Sequence, residues 1–190
     1  MPELRTVPEA LDRAAAERPD GDFTFVTDDG TEQRWSFAEL SEGARAIAAG
    51  LTARGMKKGD RVALVLPTAG DFVPTFLGVA QGGGVPVPLY PPMGLGQLGG
   101  YIDHAQHIVS AAKAAYCVTT PRIKAVIGKL HGAVPELREM LVPDEVRGDA
   151  VDFRDPGLSP EDPCFIQFTS GSTSKPKGVT VTHANLAHNC

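Results

Sequence analysis

The stretch VALVL, Val62 to Leu66, decides the fold that the sequence predicts. It is a continuous apolar run, and the absence of polar alternation is typical of a parallel strand that is covered on both faces. A helical pattern from Gly70 to Gly82 follows it, and a second strand is predicted from Val85 to Tyr90. We expect this second strand to be weakened by its two prolines, because proline cannot donate a hydrogen bond to a ladder.

The same alternation continues towards the carboxyl end. The sequence predicts a helix from Gln97 to Lys113, a strand from Tyr116 to Thr119 and a helix from Ile123 to His131. Strand, helix, strand, helix, strand at this spacing indicates an α/β fold: a doubly wound, mostly parallel sheet flanked by helices, with right-handed crossovers. We assign residues 61–131 to this βαβαβ layer.

The sequence of residues 1–60, which precede the layer, predicts a helix, a β-hairpin and a second helix. Capping boxes at Thr6–Glu9 and Ser36–Glu39 indicate the two helix starts. The hairpin is expected from Phe23 to Trp35, around an Asp28–Gly30 turn.

Residues 132–163 form an irregular, proline-rich and acidic segment, with one strand predicted around Met140 to Val142. Residues 164–190 predict two strands that flank a loop, followed by a helix start from His183. This helix pattern stops at Cys190 without a C-cap, so we expect the chain to be a fragment of a longer protein.

The composition indicates a soluble globular protein. Of 190 residues, 42% are hydrophobic and 22% are charged, and the net charge is −5, which leaves no electrostatic footprint for nucleic acid. No run approaches the ~20 apolar residues of a membrane span, so no transmembrane segment is predicted. Cys117, Cys164 and Cys190 are odd in number and far apart, and the amino terminus resembles no signal peptide. A cytoplasmic location is therefore expected.

The loop between the last two predicted strands is rich in hydroxyl groups. Glycine permits close backbone approach, successive N–H groups form an anion-binding concavity, hydroxyls donate to oxygens and lysine supplies positive charge. This chemistry suits a phosphate chain, although an exposed hairpin loop without a ligand has a similar composition. The candidate phosphate-binding residues are Thr169, Ser170, Gly171, Ser172, Thr173, Ser174 and Lys177.

Two other glycine patterns compete with this interpretation. A P-loop of the Walker type is disfavoured, because Pro176 stands five residues after Gly171, where that pattern requires glycine. Gly94 to Gly99 satisfies G-x-G-x-x-G, but no acidic residue occurs between Asp103 and Glu136 to contact a ribose. A dinucleotide fingerprint is therefore disfavoured as well.

Histidines offer only weak metal hypotheses. His104 and His107 share a predicted helix face without a third ligand nearby, and His183, His188 and Cys190 form a loose cluster at the chain end. Ordinary polar positions are the better interpretation of both groups, so no metal ligand is assigned.

The segment from Phe168 to Gly178 closely resembles the phosphate-binding signature of the adenylate-forming superfamily, which includes acyl-CoA synthetases, fatty acyl-AMP ligases and nonribosomal peptide adenylation domains. Ser174 departs from that signature, in which glycine is usual, and it loses some backbone freedom. Lys58 to Val62 and Gly82 to Pro88 also resemble the amino-terminal part of these enzymes, and Pro88 to Pro92 looks most like the fatty acyl-AMP ligases. The resemblance therefore implies an incomplete part of the large amino-terminal domain of such an enzyme.

The resemblance implies ATP-dependent activation of a fatty or other carboxylic acid, with Mg²⁺ as the counter-ion of the polyphosphate. The acyl-adenylate would pass to the thiol of an acyl carrier protein. A long-chain fatty acid-CoA ligase, with coenzyme A as acceptor, and a nucleotide-binding or interaction module without catalysis remain open as alternatives. The family's catalytic residues are expected beyond Cys190, so the chain alone is expected to be inactive.

Overall fold

A computed structural model describes residues 5–27, 29–92, 98–169 and 176–189 of the chain. The helices in these ranges are α1 (Val7–Glu17), α2 (Phe37–Ala53), α3 (Ala69–Gln81), α4 (Leu98–Ala111), α5 (Pro121–Ile127), α6 (Leu130–Ala133) and α7 (His183–Ala187). The strands are β1 (Asp22–Val26), β2 (Glu32–Ser36), β3 (Arg61–Val65), β4 (Val85–Pro88), β5 (Tyr116–Thr119), β6 (Glu139–Leu141), β7 (Pro163–Thr169) and β8 (Lys177–Thr182).

The core is built around β3, the strand that the VALVL stretch predicts. It lies inside a four-stranded sheet of order β4-β3-β5-β6, in which every neighbouring pair is parallel. Ala63 and Val65 pack into one apolar cluster with α4 and α5, whereas Val62 and Leu64 pack into another with α2 and α3. Helices therefore cover both faces of a parallel sheet, which confirms the predicted α/β fold class.

The prolines of β4 do not weaken its pairing with β3. Val85 N–H donates to Asp60 O at 2.8 Å, and Leu89 N–H donates to Leu64 O at 2.9 Å. Successive backbone nitrogens in a strand point to opposite sides within the sheet. The nitrogens of Pro86 and Pro88 therefore point away from β3, towards the edge of the sheet, where no ladder bond is lost. The strand itself ends at Pro88, before the predicted limit at Tyr90.

Of two further predictions, one is corrected and one is confirmed. The helix predicted from Ile123 to His131 is two helices, since Thr120 caps α5 through a bond from Ile123 N–H to its hydroxyl (3.4 Å) and Gly128 follows its last residue. The strand predicted around Met140 is β6, which pairs with β5 and completes the sheet. The division of the chain into four segments stays a prediction.

The amino-terminal elements match the predicted helix, hairpin and helix, and both capping boxes are formed. Asp12 joins α1 to α2, because its carboxylate accepts from Ser41 Oγ at 2.9 Å and pairs with the Arg45 guanidinium at 3.0 Å. None of the helices in the described ranges combines the length and the apolar character that crossing a membrane requires.

Candidate functional site

The hydroxyl-rich loop is carried by an antiparallel hairpin of β7 and β8. Thr169 and Lys177 lie opposite each other at the end of the hairpin that carries the loop, and Thr169 Oγ1 is 3.5 Å from Lys177 O. Antiparallel partners point to the same face, so the hydroxyl and the ammonium group start from one side of the hairpin. The other predicted phosphate ligands, Ser170, Gly171, Ser172, Thr173 and Ser174, lie outside the described residues, as does the Gly94–Gln97 part of the rival glycine motif.

Apolar residues of β7 fix the hairpin to the body of the protein. The Phe165 ring packs against Phe76 of α3, with centroids 5.9 Å apart. On the opposite face, Ile166 and Phe168 pack against the cluster that contains α4 and α5. Cys164, near the start of the strand, is buried. The short apolar run read from the sequence is therefore what attaches the loop to the sheet.

The segment before β7 is tied to the turn before β3. Lys58 Nζ lies 2.8 Å from Asp162 Oδ2 and also donates to Gly157 O at 2.8 Å. The hydrogen bond from Lys58 is the largest cause that lowers the pKa of Asp162, followed by the bond from Ser159 N–H. This pair therefore aligns the beginning of β7 with the beginning of the central strand.

His183 anchors the hairpin where β8 ends and α7 begins. Its ring is buried, and its Nδ1 accepts a hydrogen bond from Val7 N–H, the first residue of α1, at 3.2 Å. Burial lowers the pKa of His183, against the opposing effects of Asp162 and Glu9, so the imidazole is held neutral as an acceptor. His188 is exposed, and Cys190 lies outside the described residues.

The carboxyl end of the loop is held by His107 of α4. Its Nε2 is 3.2 Å from the carbonyl oxygen of Pro176, the residue that precedes Lys177. His104, one turn earlier on the same helix, is exposed. The predicted role of both histidines is that of ordinary polar positions, and no sequence signal links His107 to a residue 69 positions away. Across the described ranges, no group of three or more histidine, cysteine, aspartate or glutamate residues is placed to hold a metal ion.

A cavity of about 800 Å³ lies between the hairpin and the end of α4. Its basic lining residues are Arg61, His107, Lys113 and Lys177, and no carboxylate is among the described residues that line it. Arg61 is already occupied, because its guanidinium donates to Ala112 O at 2.8 Å and to Lys113 O at 3.0 Å. Lys177 is exposed and forms no ion pair with the described part of the chain. Because the described ionisable side chains that line the cavity are all basic, it suits an anion near the loop.

The chain is similar to known proteins in sequence and in overall fold. A putative acyl-CoA synthetase of Caulobacter vibrioides is 37% identical over 154 residues, which are 81% of this chain and 27% of that protein. The solved fatty acyl-adenylate ligase from L. pneumophila, in complex with acyl adenylate and pyrophosphate, is 28% identical with a TM-score of 0.80 over 98% of this chain and 32% of its own. The McyG A-PCP structure with phenylalanyl-adenylate is 28% identical with a TM-score of 0.86 over 97% of this chain and 29% of its own.

The class that these similarities define is that of the adenylate-forming acyl-CoA synthetases and fatty acyl-AMP ligases, as the loop signature predicted. The model of the AMP-binding enzyme family matches residues 11–190, and the chain belongs to this family. The chain spans about a third or less of the length of these three proteins.

Proposed function

We propose that the full-length protein uses ATP to activate a fatty or other carboxylic acid as an acyl-adenylate, and transfers the acyl group to the thiol of a carrier protein. One observation carries the proposal: Thr169 and Lys177, which forms no ion pair with the described residues, face the same side at the loop end of a hairpin whose other end is anchored. The L. pneumophila structure supports it, because acyl adenylate and pyrophosphate together contain all the atoms of ATP and a carboxylic acid.

In the proposed reaction, a carboxylate oxygen attacks the α-phosphorus of ATP, and the bond from that phosphorus to the bridging oxygen of pyrophosphate breaks. The residues assigned to the β- and γ-phosphates are Thr169, Ser170, Gly171, Ser172, Thr173, Ser174 and Lys177. Lys177 offsets the charge that grows on pyrophosphate as it leaves.

Mg²⁺ stays a prediction. In the proposed reaction it would bind the polyphosphate of ATP, whose charge it would offset. The cytoplasm likewise stays the predicted location.

Two molecules are candidates for the thiol that accepts the acyl group: a carrier protein, as proposed, and coenzyme A. The resemblance of Pro88 to Pro92 to fatty acyl-AMP ligases supports a carrier protein, and the McyG structure contains a PCP together with its A domain. The similarity to a putative acyl-CoA synthetase favours coenzyme A, as in a long-chain fatty acid-CoA ligase. Product analysis with both acceptors separates them. An AMP-binding module without catalysis would form neither thioester.

The test begins with binding of pyrophosphate and Mg·ATP to the 190-residue chain by calorimetry. We expect Lys177→Ala to weaken pyrophosphate binding about 10- to 100-fold, the range for loss of a charge-assisted hydrogen bond. Lys129→Ala removes an equal charge from an exposed turn between α5 and α6, and is expected to bind as the unaltered chain does. Equal loss in both variants, or no binding by the unaltered chain, contradicts the assignment of the loop.

The second part measures ATP–pyrophosphate exchange with a fatty acid. The full-length protein is expected to catalyse exchange, and Lys177→Ala to reduce it. The 190-residue chain is expected to be inactive by itself, because the family's catalytic residues are expected beyond Cys190. Robust exchange by the isolated chain would contradict the expectation that it lacks the catalytic residues.

A further inference from the structure

We infer that His107 is a positioning residue for the phosphate loop: by holding the Pro176 carbonyl it orients the peptide that carries Lys177. The inference rests on the proposed function for its binding readout. Its geometry is independent of that function, because the contact joins α4 to the hairpin whatever the loop binds.

The proton must lie on the nitrogen that faces Pro176. A carbonyl oxygen only accepts hydrogen bonds, so at 3.2 Å His107 Nε2–H is the donor. The ring is half-buried, and it is carried by a helix whose neighbouring residues Ala105, Ile108 and Val109 are buried in the core. The donor is therefore mounted on a fixed element rather than on another loop.

The contact acts on Lys177 through the planar peptide bond. Pro176 C and O and Lys177 N and Cα lie in one plane, so fixing the oxygen limits how that plane turns. The carbonyl of Lys177 itself lies 3.5 Å from Thr169 Oγ1. Contacts on both peptide groups that flank the residue thus restrain the direction in which its side chain leaves the hairpin.

The two ends of the loop are attached to one body by different chemistry. At the amino end, Phe168 packs against the apolar cluster that contains the buried side of α4. At the carboxyl end, the β8 residues on that face are Gly178 and the exposed Thr180, neither of which supplies a comparable apolar side chain. The hydrogen bond from His107 supplies the attachment there. Loss of this bond is expected to loosen the carboxyl end of the loop while the amino end stays packed.

The test compares four variants of the 190-residue chain. In His107→Gln the amide nitrogen reaches approximately the position of Nε2, whereas in His107→Asn it ends near Nδ1, too short for Pro176. His107→Ala removes the donor outright, and His104→Ala is the matched control on the exposed turn of α4. The readouts are hydrogen exchange at the Lys177 and Gly178 amides and the dissociation constant for pyrophosphate.

We expect His107→Ala and His107→Asn to speed exchange and to weaken pyrophosphate binding about 3- to 10-fold, the range for one hydrogen bond. His107→Gln is expected to restore both to within about twofold, and His104→Ala to change neither. A purely structural role would make Gln and Asn equally poor, and that result overturns the inference, as does unchanged exchange in all three His107 variants. If the unaltered chain binds no pyrophosphate, the proposed function fails, while the exchange pattern still decides the role of His107.

Discussion

The central sheet and the β7–β8 hairpin differ in how far their residues are buried. In β3, Val62 to Val65 are all fully buried and have a parallel neighbour on either side. In the hairpin, by contrast, Thr169 and Lys177 are exposed, and half of the Val179 surface is open. Burial on both faces makes the sheet a rigid support, whereas the hairpin leaves polar groups free to meet a ligand.

The β7–β8 hairpin is not expected to be stable by itself. A two-stranded hairpin is marginal in water, and this one is held by separate attachments along its length. They include the Phe165–Phe76 ring contact, the His107–Pro176 hydrogen bond and, beyond β8, the His183–Val7 hydrogen bond. We therefore expect the sheet to determine global stability and the attachments to determine local opening of the site.

The largest expected effect lies in the sheet. Leu64→Ala removes a fully buried side chain and leaves a cavity between β3 and the α2–α3 side, so the free energy of unfolding should fall by about 3 kcal/mol. Val179→Ala trims a half-exposed hairpin residue and should cost less than ~0.5 kcal/mol. Urea unfolding monitored by circular dichroism measures both. Similar costs for the two variants would remove the distinction between support and hairpin.

A smaller effect is expected where the hairpin meets α3. Phe165→Ala deletes a half-buried ring and its contact with Phe76, which should cost about 2 kcal/mol and speed amide exchange in β7 and β8 more than in β3. Gln167→Ala, on the same face of β7 but exposed, is the control and should leave exchange unchanged. Hydrogen exchange read by mass spectrometry resolves the segments. Uniform acceleration across the sheet and the hairpin would show one cooperative unit.

Local pattern was sufficient to predict much of this fold. The continuous apolar run at β3, the capping boxes at Thr6 and Ser36, and the alternating residues of β8 each specify their element through neighbours in sequence. The errors at α5 have the same local origin, because Thr120 is a stronger helix start than the apolar spacing that began the prediction at Ile123.

Contacts between distant segments had no such signal. Position 50 of α2 requires glycine because the backbone of residues 146–148 passes directly over it. An added Cβ would be 2.7 Å from Gly148 N, and Gly148 N–H donates to Ala46 O. His107 and His183 likewise gain their roles from carbonyl and amide groups 69 and 176 residues away. At the candidate site, the sequence indicated the candidate phosphate ligands, which stay a prediction, but it gave no signal for the groups that position the hairpin.

The smallest effect concerns pH and the buried end of the hairpin. Burial lowers the pKa of His183 in the folded protein below its ordinary value near 6.5, although Asp162 and Glu9 act in the opposite direction. As the pH falls through about 6.5, the unfolded chain binds a proton that folded His183 resists, so this contribution to stability is present above that pH and is lost below it.

The loss should amount to about the value of one hydrogen bond, ~1 kcal/mol, because protonation of Nδ1 removes the acceptor for Val7 N–H. The measurement is the free energy of unfolding from pH 7.5 to 5, compared with His183→Asn, whose side-chain oxygen accepts without titrating. The difference between the two curves should shrink as the pH falls. His188→Asn changes an exposed histidine five residues along and should keep the unaltered slope. If His183→Asn keeps that slope too, the buried end of the hairpin does not titrate, and the attachment to α1 is as insensitive to pH as the sheet.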